Sequence, residues 1–426
     1  MTMDYGTLVH EDRVHGSVYV NPEVFRQEMH RIYHQGWVFV AHDSELPEPG
    51  DWVTRRLGLE NYILTRDLKG RLNLLANRCA HRGTALCWRE RGHDRQFKCT
   101  YHGWTYALDG ELKGVSYPGG FDKDKRELGL DRAGQLDVYR GFIFANPSGT
   151  AGTLADHLGP GGKYLIDRMC DLSPTGSIRV APNWIGQRID SNWKMWPESD
   201  NDGYHLNFVH ISLFTANESS QYEDTMLGGE HGNMSRAVDH GGGHIELDLS
   251  PSYPHPLAWI NTTPDKQPEY RDALIEAYGQ ERAEALMQKG PPHGLVFPNL
   301  FLGEINVARV EPIAPNLTLH HHTAMQMENA GEAINQRLMR MSEAAMGPAS
   351  FLLADDAVTA ERIQSSLGGA DPAMAAGEEH RAWLDMSRGR HRDVQETALR
   401  RAGALSDETT YRGFWRHYRH VMERGA

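Results

Sequence analysis

The apolar pattern changes period along this chain, and each change predicts a different kind of element. Across 21–37, "NPEVFRQEMHRIYHQGW", Phe25, Met29, Ile32 and Tyr33 recur at helical spacing. Asn21 is placed to cap that helix and Pro22 suits its first position. From about 38 to 150 the pattern becomes short β-type runs broken by turns, with "NYILTRD", "LNLLANR" and "GFIFANP" predicted as strands. Asp109-Gly110 in "YALDGEL" is a hairpin turn signal. "HLGPGGKY" (157–164) reads as a linker. Beyond it, 268–289, 350–367 and 408–424 read as helices, and 295–325 as consecutive strands with turns. The chain is therefore an α+β protein with a small β domain and a larger mixed one. Neither an internal repeat nor a low-complexity tract is visible.

Composition narrows the class. At 426 residues the chain exceeds one ordinary core, so two domains are expected, one of them split in sequence. With 39% hydrophobic and 24% charged residues it reads as a soluble globular protein. It has no apolar run of about 18 residues to span a membrane. The N-terminal "MTMDYGTLVHEDR" does not resemble a signal peptide. Four cysteines are too few for a disulfide framework, which fits a reducing cytoplasm. A net charge of −13 argues against general affinity for nucleic acid or anionic lipid.

Three of the four cysteines fall in "NRCAHRGTALCWRERGHDRQFKCTYHGW" (77–104). Cys79-Ala-His81 and Cys99-Thr-Tyr-His102 are two short ligand pairs, with 17 residues between His81 and Cys99. Two thiolates and two imidazoles can hold a tetrahedral zinc, or a [2Fe–2S] cluster with both cysteines on one iron and both histidines on the other. Zinc loops usually supply like ligands in C-x₂₋₄-C pairs. Mixed loops suit a cluster whose irons need different ligands. The stretch resembles the Rieske motif, matching at Cys79, His81, Arg82, Gly83, Cys99, Tyr101, His102, Gly103 and Trp104. Cys87 has no partner at ligand spacing and reads as a small buried residue.

A Rieske domain accounts for little more than 100 residues, so the rest needs its own reason. In "NWKMWPESDNDGYHLNFVH" (192–210), His205 and His210 are five apart and Asp202 precedes the first by three. Five residues of ideal α-helix rotate a side chain by about 140°. Both imidazoles can reach one metal only if the helix breaks or carries a π-type bulge. The segment resembles the catalytic signature of Rieske non-haem iron oxygenases through Asn192, Trp193, Lys194, Glu198, Asp202, Tyr204, His205 and His210, with Ser199 where the family often has Asn. "FLLADDAVTAERIQSSLGG" (351–369) resembles the family's acidic helix, an Asp followed by Glu at +5 and Gln at +8. Asp356 meets that spacing with Glu361 and Gln364, leaving Asp355 as a supporting or capping group.

The resemblance implies an all-β Rieske domain over 38–152 and a helix-grip catalytic domain, an antiparallel sheet with helices, over 1–37 and 153–426. It implies a cluster on Cys79, His81, Cys99 and His102, and a mononuclear Fe(II) on His205, His210 and Asp356. A facial triad leaves the other face of the iron open for dioxygen and substrate. Asp202 is implied as the bridge between His205 and the neighbouring subunit's cluster ligand in a head-to-tail trimer, α₃β₃ with a small β subunit or bare α₃. NAD(P)H enters only through a separate reductase or ferredoxin, since no nucleotide-binding G-x-G-x-x-G follows a strand. The activity implied is that of a terminal aromatic-ring-hydroxylating dioxygenase. The alternatives are a Rieske monooxygenase with the same metals, or a pure electron carrier.

Other features read as structural. His320-His321-His322 lies in a strand pattern whose alternation keeps the three from converging. "DHGGGHIE" (239–246) reads as a flexible loop or pocket lid. Asn201, Phe208, Leu213 and "LVFPNLFL" are the expected pocket lining. Arg309 or a histidine near the hairpin is the expected anchor for an aromatic acid.

Overall fold

The computed structural model describes residues 3–211, 234–348, 350, 352–369 and 382–424. It divides into two compact units, Met29–Leu154 and a larger unit made of the residues up to Glu28 together with those from Ala155 onward.

The smaller unit is built of β-strands. Glu60–Arg66, Leu72–Ala76 and Phe142–Asn146 form where the alternating runs predicted them. One antiparallel sheet has the order Leu72–Ala76, Glu60–Arg66, Asp51–Leu57, Arg91–His93. A second joins Gln135–Tyr139, Phe142–Asn146 and Val38–His42. The third carries Gln96–Lys98, Thr105–Ala107 and Leu112–Gly114, the last two joined through the Asp109-Gly110 turn, where Gly110 takes φ 86°. Trp52, Ile63, Leu75, Phe97, Trp104 and Tyr106 fill its core alongside Cys79, Cys87 and Cys99. The Cys87 backbone is zipped to the Asn77 amide, and burial pushes its thiol up to about 12.

The larger unit has a ten-stranded antiparallel sheet. Its centre is Leu317–Met327, Asn306–Ala314, Leu300–Leu302, Gly294–Val296, Ile245–Asp248 and Arg236–Asp239. The C-terminal helix Thr409–Glu423 buries Phe414, Trp415, Tyr418 and Met422. The acidic helix spans Leu352–Ser366.

Several expectations need correction. The predicted linker at 157–164 is helical: Leu154–Cys170 runs through it, interrupted at Gly159 (φ 51°) before Pro160, which cannot continue a hydrogen-bonded turn. The single helix predicted over 268–289 is two, Pro268–Tyr278 and Gln280–Lys289, because Gly279 takes φ 81° between them. "DHGGGHIE" is no free loop but a buried hairpin turn, with Asp239, His240, His244 and Glu246 all buried and Gly241, Gly242 and Gly243 at positive φ. The N-terminal helix, Pro22–Glu28, is capped by Asn21 Oδ1 accepting from the Glu23 amide, and becomes π-helical over Met29–His34.

Candidate metal centres

The two Cys/His loops of the smaller unit are built alike. In each, the cysteine amide donates to the carbonyl five residues on, Cys79 to Thr84 and Cys99 to Trp104. The glycine amide four residues on donates back, Gly83 to Cys79 and Gly103 to Cys99. Both closures need a left-handed residue, supplied by Gly83 (φ 75°) and Gly103 (φ 73°). Cys79 and Cys99 are each 2% exposed. The His81 and His102 rings lie 4.5 Å apart, and Trp104 stacks flat on His81 at 4.9 Å. Nδ1 of both histidines is buried without a hydrogen-bond partner among the described residues, as an imidazole aimed at a metal would be. The Tyr106 hydroxyl accepts from the Ala80 amide and lies 3.2 Å from Cys79 Sγ, free to donate to a thiolate.

In the larger unit the helix carrying the signature ends where the ligand spacing demands a break. Met195–Asp200 is helical, the chain turns through 201–205, and Leu206–Val209 makes one further turn. His205 and His210 flank that turn, so neither has to face around an unbroken helix. Their Nε2 atoms approach to 3.2 Å, and each lies near Asp356 Oδ1, at 3.5 Å for His205 and 3.4 Å for His210. Cis ligands on a metal with bonds of about 2.1 Å sit about 3 Å apart. Among the described residues, these three side chains form the set whose ligand atoms lie within 4.8 Å of one another.

The outward nitrogens meet carboxylates. His205 Nδ1 is 3.1 Å from Asp202 Oδ2, and His210 Nδ1 is 3.6 Å from Asp355 Oδ2. Asp202 therefore favours an Nδ1 proton on His205 and leaves its Nε2 as a lone pair, whereas Asp355, beyond hydrogen-bond distance, faces His210 Nδ1 only as a nearby carboxylate. Ser199 Oγ donates to Asp356 Oδ1 at 3.2 Å, a contact the sequence did not announce. Burial pushes the Asp356 carboxyl up, and His210 and His205 oppose that shift.

Glu198 is a pin instead. It accepts from Tyr19 and Trp415, both at 2.6 Å, and burial pushes it up to about 7 despite those bonds. Lys194 and Glu28 form a fully buried pair at 2.6 Å, and Glu28 also accepts from Trp193 and Tyr418. His293 was not foreseen either. It reaches Glu304 Oε2 at 2.9 Å and the Asp200 carbonyl at 2.6 Å, tying the end of the signature helix to the sheet across more than 90 residues of sequence.

Of the expected pocket residues, Asn201 is buried but Phe208 is 71% exposed, and Leu213 lies outside the described residues. Arg309 pairs with Glu311 at 3.0 Å and packs over Trp184, turned away from the sheet face that holds His320.

A β unit with two matched Cys/His loops, together with an antiparallel catalytic unit holding a two-histidine, one-carboxylate set, defines an oxygenase class with two separate iron centres. The sequence matches the Rieske [2Fe-2S] domain over residues 36–123 and the ring hydroxylating alpha subunit catalytic domain over 161–424. It is 30% identical over 392 residues to the anthranilate 1,2-dioxygenase large subunit of Acinetobacter baylyi, covering 89% of this chain and 80% of that one. It is 34% identical over 302 residues to the N,N-dimethyl phenylurea N-demethylase subunit alpha of a Sphingobium species, covering 66% of this chain and 61% of the relative. The fold superposes on naphthalene 1,2-dioxygenase with indole bound at a TM-score of 0.83 and 25% identity, covering 99% of this chain and 95% of that one. The chain belongs to the Rieske non-haem iron aromatic-ring-hydroxylating oxygenases, as an α (large, catalytic) subunit. It is an oxygenase that uses one [2Fe–2S] cluster and one mononuclear iron. Among the described residues no helix is long and apolar enough to cross a membrane.

Proposed function

We propose that this chain is the terminal oxygenase subunit of a multicomponent, cytoplasmic system that hydroxylates an aromatic acid, with electrons relayed from NAD(P)H by a reductase or ferredoxin. Residues 38–152 form the Rieske domain, and 1–37 with 153–426 the catalytic domain. Cys79, His81, Cys99 and His102 hold the cluster, and His205, His210 and Asp356 hold the mononuclear iron. When bound, the cluster supplies single electrons and the iron activates dioxygen. The chain's own residues do the rest. Asp202 and Asp355 orient the two imidazoles through Nδ1. Ser199 and the helix Leu352–Ser366 hold Asp356 in place. Asp202 also bridges to His102 of a neighbouring copy in a head-to-tail trimer, with or without a small β subunit.

The observation that carries this reading is the approach of two Nε2 lone pairs and one carboxylate oxygen within 3.2–3.5 Å of one another. The aromatic-acid substrate draws support from the similarity to relatives named for anthranilate and toluate.

The test is single turnover. The iron-replete protein is reduced without oxygen, then given O₂ with benzoate, salicylate, anthranilate, phthalate, naphthalene or an N-methyl or O-methyl aromatic. Fast, substrate-dependent bleaching of the reduced-cluster signal with a hydroxylated acid as product is expected. Cluster oxidation at one slow rate whatever is added, in protein with its full iron count, would count against it. Demethylation of the N-methyl or O-methyl aromatic would favour the monooxygenase alternative.

A further inference from the structure

The sheet face beneath the helix Met195–Asp200 buries several polar atoms that no described residue pairs. Register and strand alternation place His320 and His322 on one face with Val310, Ala308 and Asn306, whereas His321 and Arg309 turn to the other face and share Glu311. Trp196 stacks on His320 with centroids 4.4 Å apart, and the His320 and His322 rings are 5.8 Å apart. His320 is 0% exposed and His322 1%. Among the described residues, neither ring nitrogen of either has a hydrogen-bond partner, nor do Trp196 Nε1, Asn306 Nδ2 and Asn201 Oδ1. A buried polar atom left unpaired forfeits its hydration for nothing, so a cluster of them points to a ligand rather than to packing.

The cluster borders the metal set. Trp196 and Ser199 are three residues apart on one helix, about 4.5 Å along its axis, and Ser199 contacts Asp356 at 3.2 Å. At the other end of that helix, His293 holds the Asp200 carbonyl and packs on Phe301 at 4.9 Å. Phe301 pairs in register with Ala308, which pairs with His322. The helix therefore lies across this row of side chains.

We propose that His320 and His322, with the Trp196 N–H, form the polar end of the substrate pocket and bind the carboxylate of a single-ring aromatic acid whose ring extends toward His205, His210 and Asp356. The proposal rests on the oxygenase reading above. A carboxylate has about four lone-pair sites, enough to accept from the indole and both imidazoles. Burial, then the neighbouring His322, His321 and Arg309, hold His320 neutral, and burial and His321 do the same for His322. Glu311, the carboxylate nearest in the strands, is already taken by Arg309 and His321. An arriving acid supplies the missing counter-charge, so one imidazole takes a proton from solvent as it binds. A hydrocarbon leaves all these atoms unpaired and is rejected.

The test is anaerobic titration calorimetry on the iron-loaded full chain with benzoate, benzamide and toluene, in two buffers of different ionisation enthalpy. Benzoate is expected to bind at least about tenfold tighter than benzamide or toluene, with net uptake approaching one proton. A His320→Leu/His322→Leu variant is expected to lose that preference and the proton uptake while binding toluene at least as tightly as the unsubstituted protein. Cluster absorbance and iron content check its fold. If it does not load iron, His322→Asn reads the same loss. Benzoate binding no tighter than toluene, or a preference that survives the substitutions, overturns the proposal. Either result in protein with a full iron count and O₂-dependent cluster oxidation leaves the oxygenase reading standing, whereas absence of the mononuclear iron overturns that reading instead.

Discussion

At the scale of single residues, the adjacent acids Asp355 and Asp356 do different work. Asp356 Oδ1 faces both Nε2 atoms, while Asp355 Oδ2 faces only His210 Nδ1. Asp356→Ala is therefore expected to remove the mononuclear iron and abolish product formation while leaving the cluster spectrum intact, so that iron analysis falls from about three to about two per chain. Asp355→Ala is expected to keep the iron but bind it about 10–100-fold more weakly, the usual cost of losing an orienting partner. Spacing to Glu361 and Gln364 pointed to Asp356 in the sequence, and the structure gives both residues a local reason. Glu361 accepts from the Asp190 amide and Gln364 from the Asn192 amide, so the helix that carries Asp356 is bonded to the segment leading into the signature. Ser199, read only as a departure from the family pattern, lies against Asp356. No one-dimensional signal could have placed it there.

At the scale of elements, the short helix Met195–Asp200 is held from both ends. At its start, Lys194 and Glu28 are each 0% exposed, inside a ring of Tyr19, Trp193 and Tyr418. Lys194→Met strands the Glu28 charge and is expected to cost about 3–5 kcal/mol, read as a drop in thermal midpoint. Adding Glu28→Gln should recover part of it. At the helix end, His293 donates from both nitrogens, to a carboxylate and to a carbonyl, which only an imidazolium can do. Burial pushes its pKa down, but the charge and hydrogen bond of Glu304 outweigh that and carry it up to about 9. The folded value lies above the unfolded 6.5, so this stabilisation is complete below about pH 6.5 and is lost as pH rises through about 9. His293→Gln should therefore melt lower than the unsubstituted protein at pH 6.5, and the gap should close above pH 9. A gap constant with pH would mean the charge is not what matters.

At the scale of the whole molecule, each unit exposes aromatic surface near its candidate ligand residues. Trp88 is 76%, Tyr101 59% and Tyr117 91% exposed in the smaller unit, and Tyr204 and Phe208 are exposed beside His205 in the larger. Such patches usually mark contact surfaces, and they support assembly of several copies. Sedimentation is expected to give a trimer of α chains, and Trp88→Asp/Tyr117→Asp to shift it toward monomer with the cluster absorbance kept. Asp202→Asn is expected to leave the trimer and the iron content intact while slowing O₂-dependent cluster oxidation at least about tenfold. Unchanged single-turnover rates in that variant would remove Asp202 from the bridging role.

What the sequence determined by itself was the local chemistry: the mixed Cys/His loops, the five-residue histidine spacing that forces a helix break, the acidic helix, and most strands and helices. These are legible because ligand spacing and apolar period act over fewer than about 20 residues. It misread 157–164, 239–246 and 279, where glycine and proline sit inside packed structure rather than free loops, because burial decides which of their conformations is used. Only the tertiary structure decided which face each of His320, His321 and His322 presents, that Arg309 turns away with Glu311, and that His293 and Glu28 hold the ends of one short helix. Those outcomes depend on strand register and on partners more than 90 residues away, and contacts at that distance leave no periodic trace along the chain.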